Sequence, residues 1–243
     1  MLSKSQGVML HSIKYGETSV IARVFTREFG LQSYLVPGVR KAKARIRQNL
    51  FQPLCILDMI VYHKEKEGLH RIKEITSPHP YESIPYDIPK TTIALFLAEM
   101  LHHSIKSHEA NPALFDFIRD ALLALDQTKE RTADFHLVFL MRLTGYLGFF
   151  PRNNYDNLQC YFHLQDGLFK DRPGSPELSL DKSLSRWFHM LIASGMQAHT
   201  AFAAPKELRK ALLATMIDYY KLHLEGFQEV KSHAVLEMVL AVD

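Results

Sequence analysis

Residues 7–47 read GVMLHSIKYGETSVIARVFTREFGLQSYLVPGVRKAKARIR. Short runs rich in β-branched and aromatic residues alternate with breaks at Gly, Pro or charge, the pattern of antiparallel strands joined by tight turns. The spacing predicts strands at 8–15, 19–26 and 31–36, and the same pattern continues downstream to predict strands at 54–63 and 69–76. Tyr15-Gly16-Glu17-Thr18 and Phe29-Gly30 are compact enough for hairpin turns, with Gly supplying the positive φ that such turns need. Five short strands within about 75 residues suit an OB-type barrel, which closes its sheet and offers loops and one face to oligonucleotides. An SH3-like barrel fits the strand count nearly as well.

The connection after the third strand carries the strongest physical signal. Arg40, Lys41, Lys43, Arg45 and Arg47 fall within eight residues, and no acidic residue occurs between Glu28 and Asp58. Alternation with Ala42, Ala44 and Ile46 would place Lys41, Lys43, Arg45 and Arg47 on one side of an extended segment. Residues 1–80 hold seven Lys and six Arg against six acids, a net of +7, whereas the rest of the chain stands at −4. A basic unit joined to a mildly acidic body implies a polyanion partner for the first unit. Neutralising phosphates would release condensed counterions, which drives sequence-independent binding. Lys14, Arg23 and Arg27 extend the candidate site, and the unit's aromatics (Tyr15, Phe25, Phe29, Tyr34, Phe51) divide between filling a small core and stacking on bases. Tyr34, beside the basic loop, is the candidate for stacking.

Four prolines in residues 77–89, SPHPYESIPYDIP, forbid regular structure and mark a boundary, giving expected domains of 1–79 and 80–243. Beyond it apolar positions recur at three- and four-residue steps, predicting three helices across 90–147, the second capped by Asn111 with Pro112 as its first residue. An irregular insert follows near 150–176, and then further helices, one from Pro205 to before Gly226 and a last one from Ser232. The whole is thus read as α+β, a five-stranded OB-type barrel followed by an all-helical domain. With 47% apolar residues, no long low-complexity tract, no apolar run of membrane length and no signal-peptide core, the chain reads as a folded, soluble, cytoplasmic protein. Cys55 and Cys160 read as free thiols. No phosphate-binding glycine loop, dinucleotide fingerprint, HExxH or GxSxG occurs, so no catalytic residue is expected. His102, His103 and His108 read as ordinary helix histidines. Cys160 and His163 form only half a metal site, because zinc needs four ligands.

The order of segments resembles the RecO family. The carriers are residues 7–41 of the stretch quoted above, then LFQPLCILDMIVYHKEKEGLHRIKEI (50–75), LTGYLGFFPR (143–152) and LRKALLATMIDYYKLHLEGFQEVKSHAVLEMVL (208–240). The resemblance implies an OB domain binding single- and double-stranded DNA through the basic residues of the barrel and loop, beginning with Arg40, Lys41 and Lys43. It also implies a helical domain with a pocket for the acidic tail of single-strand-binding protein. Members anneal strands coated by that protein, act with RecR to load RecA at the nucleoid during repair, and hydrolyse no nucleotide. Many carry a four-cysteine zinc module after the Gly-Phe-x-Pro helix end. Only Cys160 stands in that place here, so a zinc-free version without cofactor is expected, with Leu158, Tyr161 and Phe162 packing instead. A scaffold of the same architecture that recognises RNA or acidic protein segments is the alternative.

Overall fold

The structure is a computed structural model, describing residues 2–41, 46–63, 68–196 and 202–241. It divides into two compact units, Met1–Thr128 and Lys129–Asp243. In the first, β1 (Leu2–Tyr15), β2 (Ser19–Thr26), β3 (Gly30–Val36), β4 (Ile56–Tyr62) and β5 (Leu69–Thr76) close into a barrel in the order β1-β2-β3-β5-β4. All pairings are antiparallel except β3 with β5, which run parallel over 33–35 and 69–71. The predicted strands thus form, but β1 begins six residues earlier than expected. Its polar start pairs with β4, from Leu2 opposite Tyr62 to Val8 opposite Ile56, and from Gly7 onward it pairs with β2, with a register shift between Met9 and His11. Hydrophobic alternation could not reveal that polar stretch. Met9, Ala22, Val24, Tyr34, Val36, Leu57, Met59 and Val61 fill the barrel.

Two helices belong to the same unit, α1 (Ile88–Ser104) and α2 (Pro112–Gln127). Asp87 accepts from Lys90 N at 2.9 Å, and Asn111 accepts from Leu114 N at 3.0 Å with Pro112 at the first position, as the cap pattern predicts. The connection between the helices joins the barrel: Leu31 N donates to Ser107 O (3.1 Å) and His108 Nδ1–H to Leu31 O (2.6 Å). The buried Lys90 ammonium donates to Ser83 Oγ, Asp126 O and Thr128 O at 2.8, 3.0 and 2.6 Å. Burial alone would raise the Asp126 carboxyl, but N–H donation from Glu82, Ile84 and Ser83 holds it below the ordinary carboxylate value. The proline-rich segment is therefore where strand gives way to helix, and α1 and α2, which fasten onto the barrel, belong with it to the compact unit that ends at Thr128.

The second unit holds α3 (Phe135–Tyr146), a hairpin of β6 (Tyr161–His163) and β7 (Leu168–Lys170), α4 (Lys182–Met196), α5 (Lys206–His223) and α6 (His233–Leu240). The expected irregular insert contains the hairpin. It is held by Asn154, which bonds Phe169 N and O, each at 2.9 Å, and by the ring of Phe162 against Phe188 (4.5 Å) and Phe169 (4.9 Å). Phe162 packs as expected and Tyr161 is half-buried, but Leu158 is 76% exposed and contributes nothing to this cluster. No helix of the described residues is long and apolar enough to cross a membrane.

Within this unit Arg209 and Asp134 form a buried pair (3.2 Å) beside the buried His136, whose imidazole is pushed down to about 3 by burial and by Arg209. A histidine held neutral contributes stability that is full above its unfolded value and is lost as pH falls through the window from about 6.5 towards 3. Lowering the pH from 7.5 to 4.5 should remove about 2–3 kcal/mol through His136, offset in part by Asp134, whose carboxyl is pushed up by burial. Urea unfolding followed by the fluorescence of Trp187, the chain's one tryptophan, reads that loss. A His136→Gln variant should show a shallower pH dependence, and equal slopes in the two proteins would contradict the assignment.

Candidate nucleic-acid interface

The basic loop is anchored at both ends. On its near side Val39 is buried, Arg40 N donates to Thr18 O at 3.1 Å and Lys41 N to Gly38 O at 3.3 Å. On its far side Ile46 packs against the barrel core, and a short 3-10 turn, Gln48–Phe51, buries Phe51, whose carbonyl accepts from Ser12 Oγ (3.2 Å). Arg40, Lys41 and Arg47 are exposed between these anchors. Lys43 and Arg45 lie outside the described residues, as does the middle of the expected one-sided display of cations. The Arg40–Thr18 bond seats the loop's start against the tip of the β1–β2 hairpin, which carries exposed Lys14 and Tyr15.

Arg23 stands on β2 opposite His11 and Ser33, half-buried on the outer face of the sheet. The His11 ring stacks on His102 of α1 at 4.6 Å, and His103 lies 5.6 Å from His102. Burial pushes His102 down to about 4, with His11, Arg23 and His103 adding to the shift against Glu99. At neutral pH these two stacked rings are uncharged, and the positive charge beside them is that of Arg23.

Two expected contacts are corrected. Arg27 donates through Nε and Nη2 to the Asp116 carboxylate, each at 3.1 Å, and Asp116 also meets Arg119 at 2.9 Å. The guanidinium fork that would clamp a phosphate is occupied in fastening α2 to the barrel. Tyr34 is wholly buried, its ring 6.0 Å from that of buried His70 and its phenol pushed well up by burial. Strand parity decides this. Tyr34 registers with Ala22 and points inward, while Ser33 and Leu35 point out. Phe25 and Phe51 are also buried, and Phe29 is half-buried with its ring stacked on His63 at 3.9 Å. The barrel aromatics that reach solvent are Tyr15 and Tyr62, the second of which faces Arg71 across the β4–β5 pair. Tyr62 and Arg71 escaped the sequence reading. Their signal was parity, since an inward Val61 and Ile72 force both outward.

The barrel is electrically lopsided. At the other end of β1, Glu28, Asp58 and Glu74 line a cavity of about 430 Å³ with Lys4 as its cation, and Gln6 Nε2 donates to Asp58 at 3.0 Å. Carboxylates thus gather at this end of the barrel and exposed cations at the hairpin tip and basic loop.

The chain matches the family model described as Recombination protein O N terminal over residues 1–81 and that described as Recombination protein O C terminal over residues 85–233. It is 34% identical over 238 residues to the DNA repair protein RecO of Phocaeicola vulgatus, covering 98% of both chains. To the protein of the same name from Flavobacterium psychrophilum it is 37% identical over 242 residues, 99% of this chain and all of the relative. The Bacteroides fragilis protein of that name is 36% identical over 238 residues, again 98% of each.

Proposed function

The chain belongs to the recombination protein O family, and from that premise we propose that it is a DNA repair and recombination mediator. In this reading it binds single- and double-stranded DNA and anneals complementary strands coated by single-strand-binding protein. With RecR it loads RecA, acting at the nucleoid in the cytoplasm. It works by binding alone, as a non-enzyme without resident metal or other cofactor.

The observation that carries the reading is the anchored basic loop. Arg40 and Lys41 are held at the hairpin tip in a stretch of 29 residues, 29–57, that has no carboxylate. Fixed cations that meet phosphates release counterions without reading sequence, and an annealing protein needs that indifference, since it must accept any pair of complementary strands. Neutralising both strands also removes the repulsion that keeps them apart, so base pairing can proceed with no covalent step. In the helical unit, α5 and α6 line a cavity of about 460 Å³ that offers a peptide the apolar side chains of Leu213, Leu236 and Met238; of its cations, Lys210 is paired with Glu237 (3.0 Å) and Lys206 donates to Ala241 O.

Mixing complementary strands precoated with single-strand-binding protein tests the proposal. Addition of this protein should accelerate duplex formation at least tenfold without nucleotide, and the acceleration should disappear when the coating protein lacks its acidic tail. No acceleration on coated strands would overturn the reading.

A further inference from the structure

Three imidazoles meet where α1 ends against the barrel. His11, on the outer face of β1, has its ring stacked on that of His102, the centroids 4.6 Å apart and the planes inclined by 27°. The ring of His103 lies 5.6 Å from that of His102. Arg23 pairs with His11 across the β1–β2 ladder, and Glu99, one turn back on α1, is the carboxylate that acts on His102. Directly after the stack comes the segment that fastens the helices to the barrel, through Leu31 N to Ser107 O (3.1 Å) and His108 Nδ1–H to Leu31 O (2.6 Å). Ile105 N closes the helix on Leu101 O at 2.9 Å.

The stack is built for neutral rings. A proton on either would put a cation out of reach of much of its water and beside the fixed charge of Arg23, and a second proton would set two cations face to face. Burial leads, and His11, Arg23 and His103 add to it against Glu99, in holding His102 down to about 4; burial, Arg23 and His103 hold His11 below the ordinary value as well. Once α1 lifts from β1 the rings return to about 6.5, so the lifted form binds protons more tightly than the seated one. The His108 bond has no such dependence, because Nδ1–H donates to the Leu31 carbonyl whether or not the other nitrogen carries a proton.

We infer that the His11–His102 stack is an acid-sensitive fastener between the barrel and α1: with both rings neutral it seats the end of the helix, and protonation lets that end lift, taking the Leu31–Ser107 bond with it. Seating is complete above the ordinary histidine value and weakens as pH falls from about 6.5 towards 4. What the chain binds does not enter into this. The device governs how α1 and the connection behind it are held, and so how much of β1 around His11 is covered.

Hydrogen exchange on the full chain at pH 7.5 and pH 5.0, corrected for the intrinsic rate at each pH, tests the fastener at the Leu31 and Ile105 amides. A local probe is needed because His136 makes the other unit acid-sensitive too. Wild-type protection at both amides should fall about twenty- to thirtyfold, the change that one imidazole moving between about 4 and 6.5 brings about over that interval. With His11→Phe and His102→Phe together, two rings still stack but take no proton, and the fall should shrink to less than about threefold. His102→Gln, which removes one ring, should lower protection already at pH 7.5 and leave a comparably small further fall. A fall below about threefold in wild type, an undiminished fall in both variants, or an equal fall at the β2 amides, which would mean general acid unfolding, overturns the fastener.

Discussion

Replacing Gly30 by alanine should lower the melting temperature of the barrel and its two helices by about 10–20 °C, corresponding to about 3–5 kcal/mol. Gly30 has φ +63 at the first position of β3, where the turn from β2 closes, and an L side chain is strained there. Space is the larger obstacle. A Cβ there would lie 2.3 Å from the carbonyl oxygen of Glu109 and 2.7 Å from the carbonyl carbons of His108 and Glu109, all backbone atoms that cannot swing aside. That segment is the one whose Ser107 carbonyl accepts from Leu31 N and whose His108 ring donates to Leu31 O. Relief of the clash must break this latch or distort the turn, where Thr26 Oγ1 donates to Gly30 O (2.8 Å) and accepts from Phe29 N (3.1 Å). Thermal unfolding by circular dichroism measures the shift. A change of less than about 3 °C would mean that the connection moves freely, and the fastening of α1 and α2 to the barrel would lose its main support.

Local alternation made five strands legible, and local capping chemistry made the start of α2 legible at Asn111-Pro112. What escaped depended on partners distant in the chain. Tyr34 looked available because the run Gly-Leu-Gln-Ser-Tyr-Leu-Val does not alternate cleanly. Gln32 shares Tyr34's parity and is buried, its amide donating to Phe29 O at 2.5 Å, so polarity misreports the inward face of β3. Only pairing with Ala22 settles which way Tyr34 points. Arg27 read as a free cation because Asp116 lies 89 residues away. The merger of α1 with the barrel left a fainter trace: buried apolar residues Ile93, Ala94, Phe96, Leu97, Ala98, Met100 and Leu101 cover more than half of its circumference, wider than a one-sided stripe, and its buried Lys90 shows its acceptors only in three dimensions. Tyr15 was in view throughout, but sequence does not distinguish an aromatic at an open hairpin tip from one in the core.

Changing Arg40, Lys41 and Arg47 together to alanine should weaken DNA binding about a hundredfold for single strands at 0.1 M salt, and more for duplex. All three are exposed and belong to the anchored loop, so the substitutions subtract charge without touching the core. If each cation meets one phosphate, the slope of log affinity against log salt flattens by about 2 for single strands and nearly 3 for duplex, because duplex DNA condenses more counterions per charge. The affinities of variant and wild type should therefore converge as salt rises towards 1 M, where counterion release no longer favours binding. Arg27→Ala separates electrostatics from folding. With its guanidinium spent on Asp116, its loss should lower thermal stability and leave the salt slope within about 0.3 of wild type. Parallel salt slopes for the triple variant and wild type would show that these cations do not touch phosphate. A steep loss that persists undiminished at 1 M would instead assign their contribution to contacts other than ion release, since only the electrostatic part of binding fades with salt.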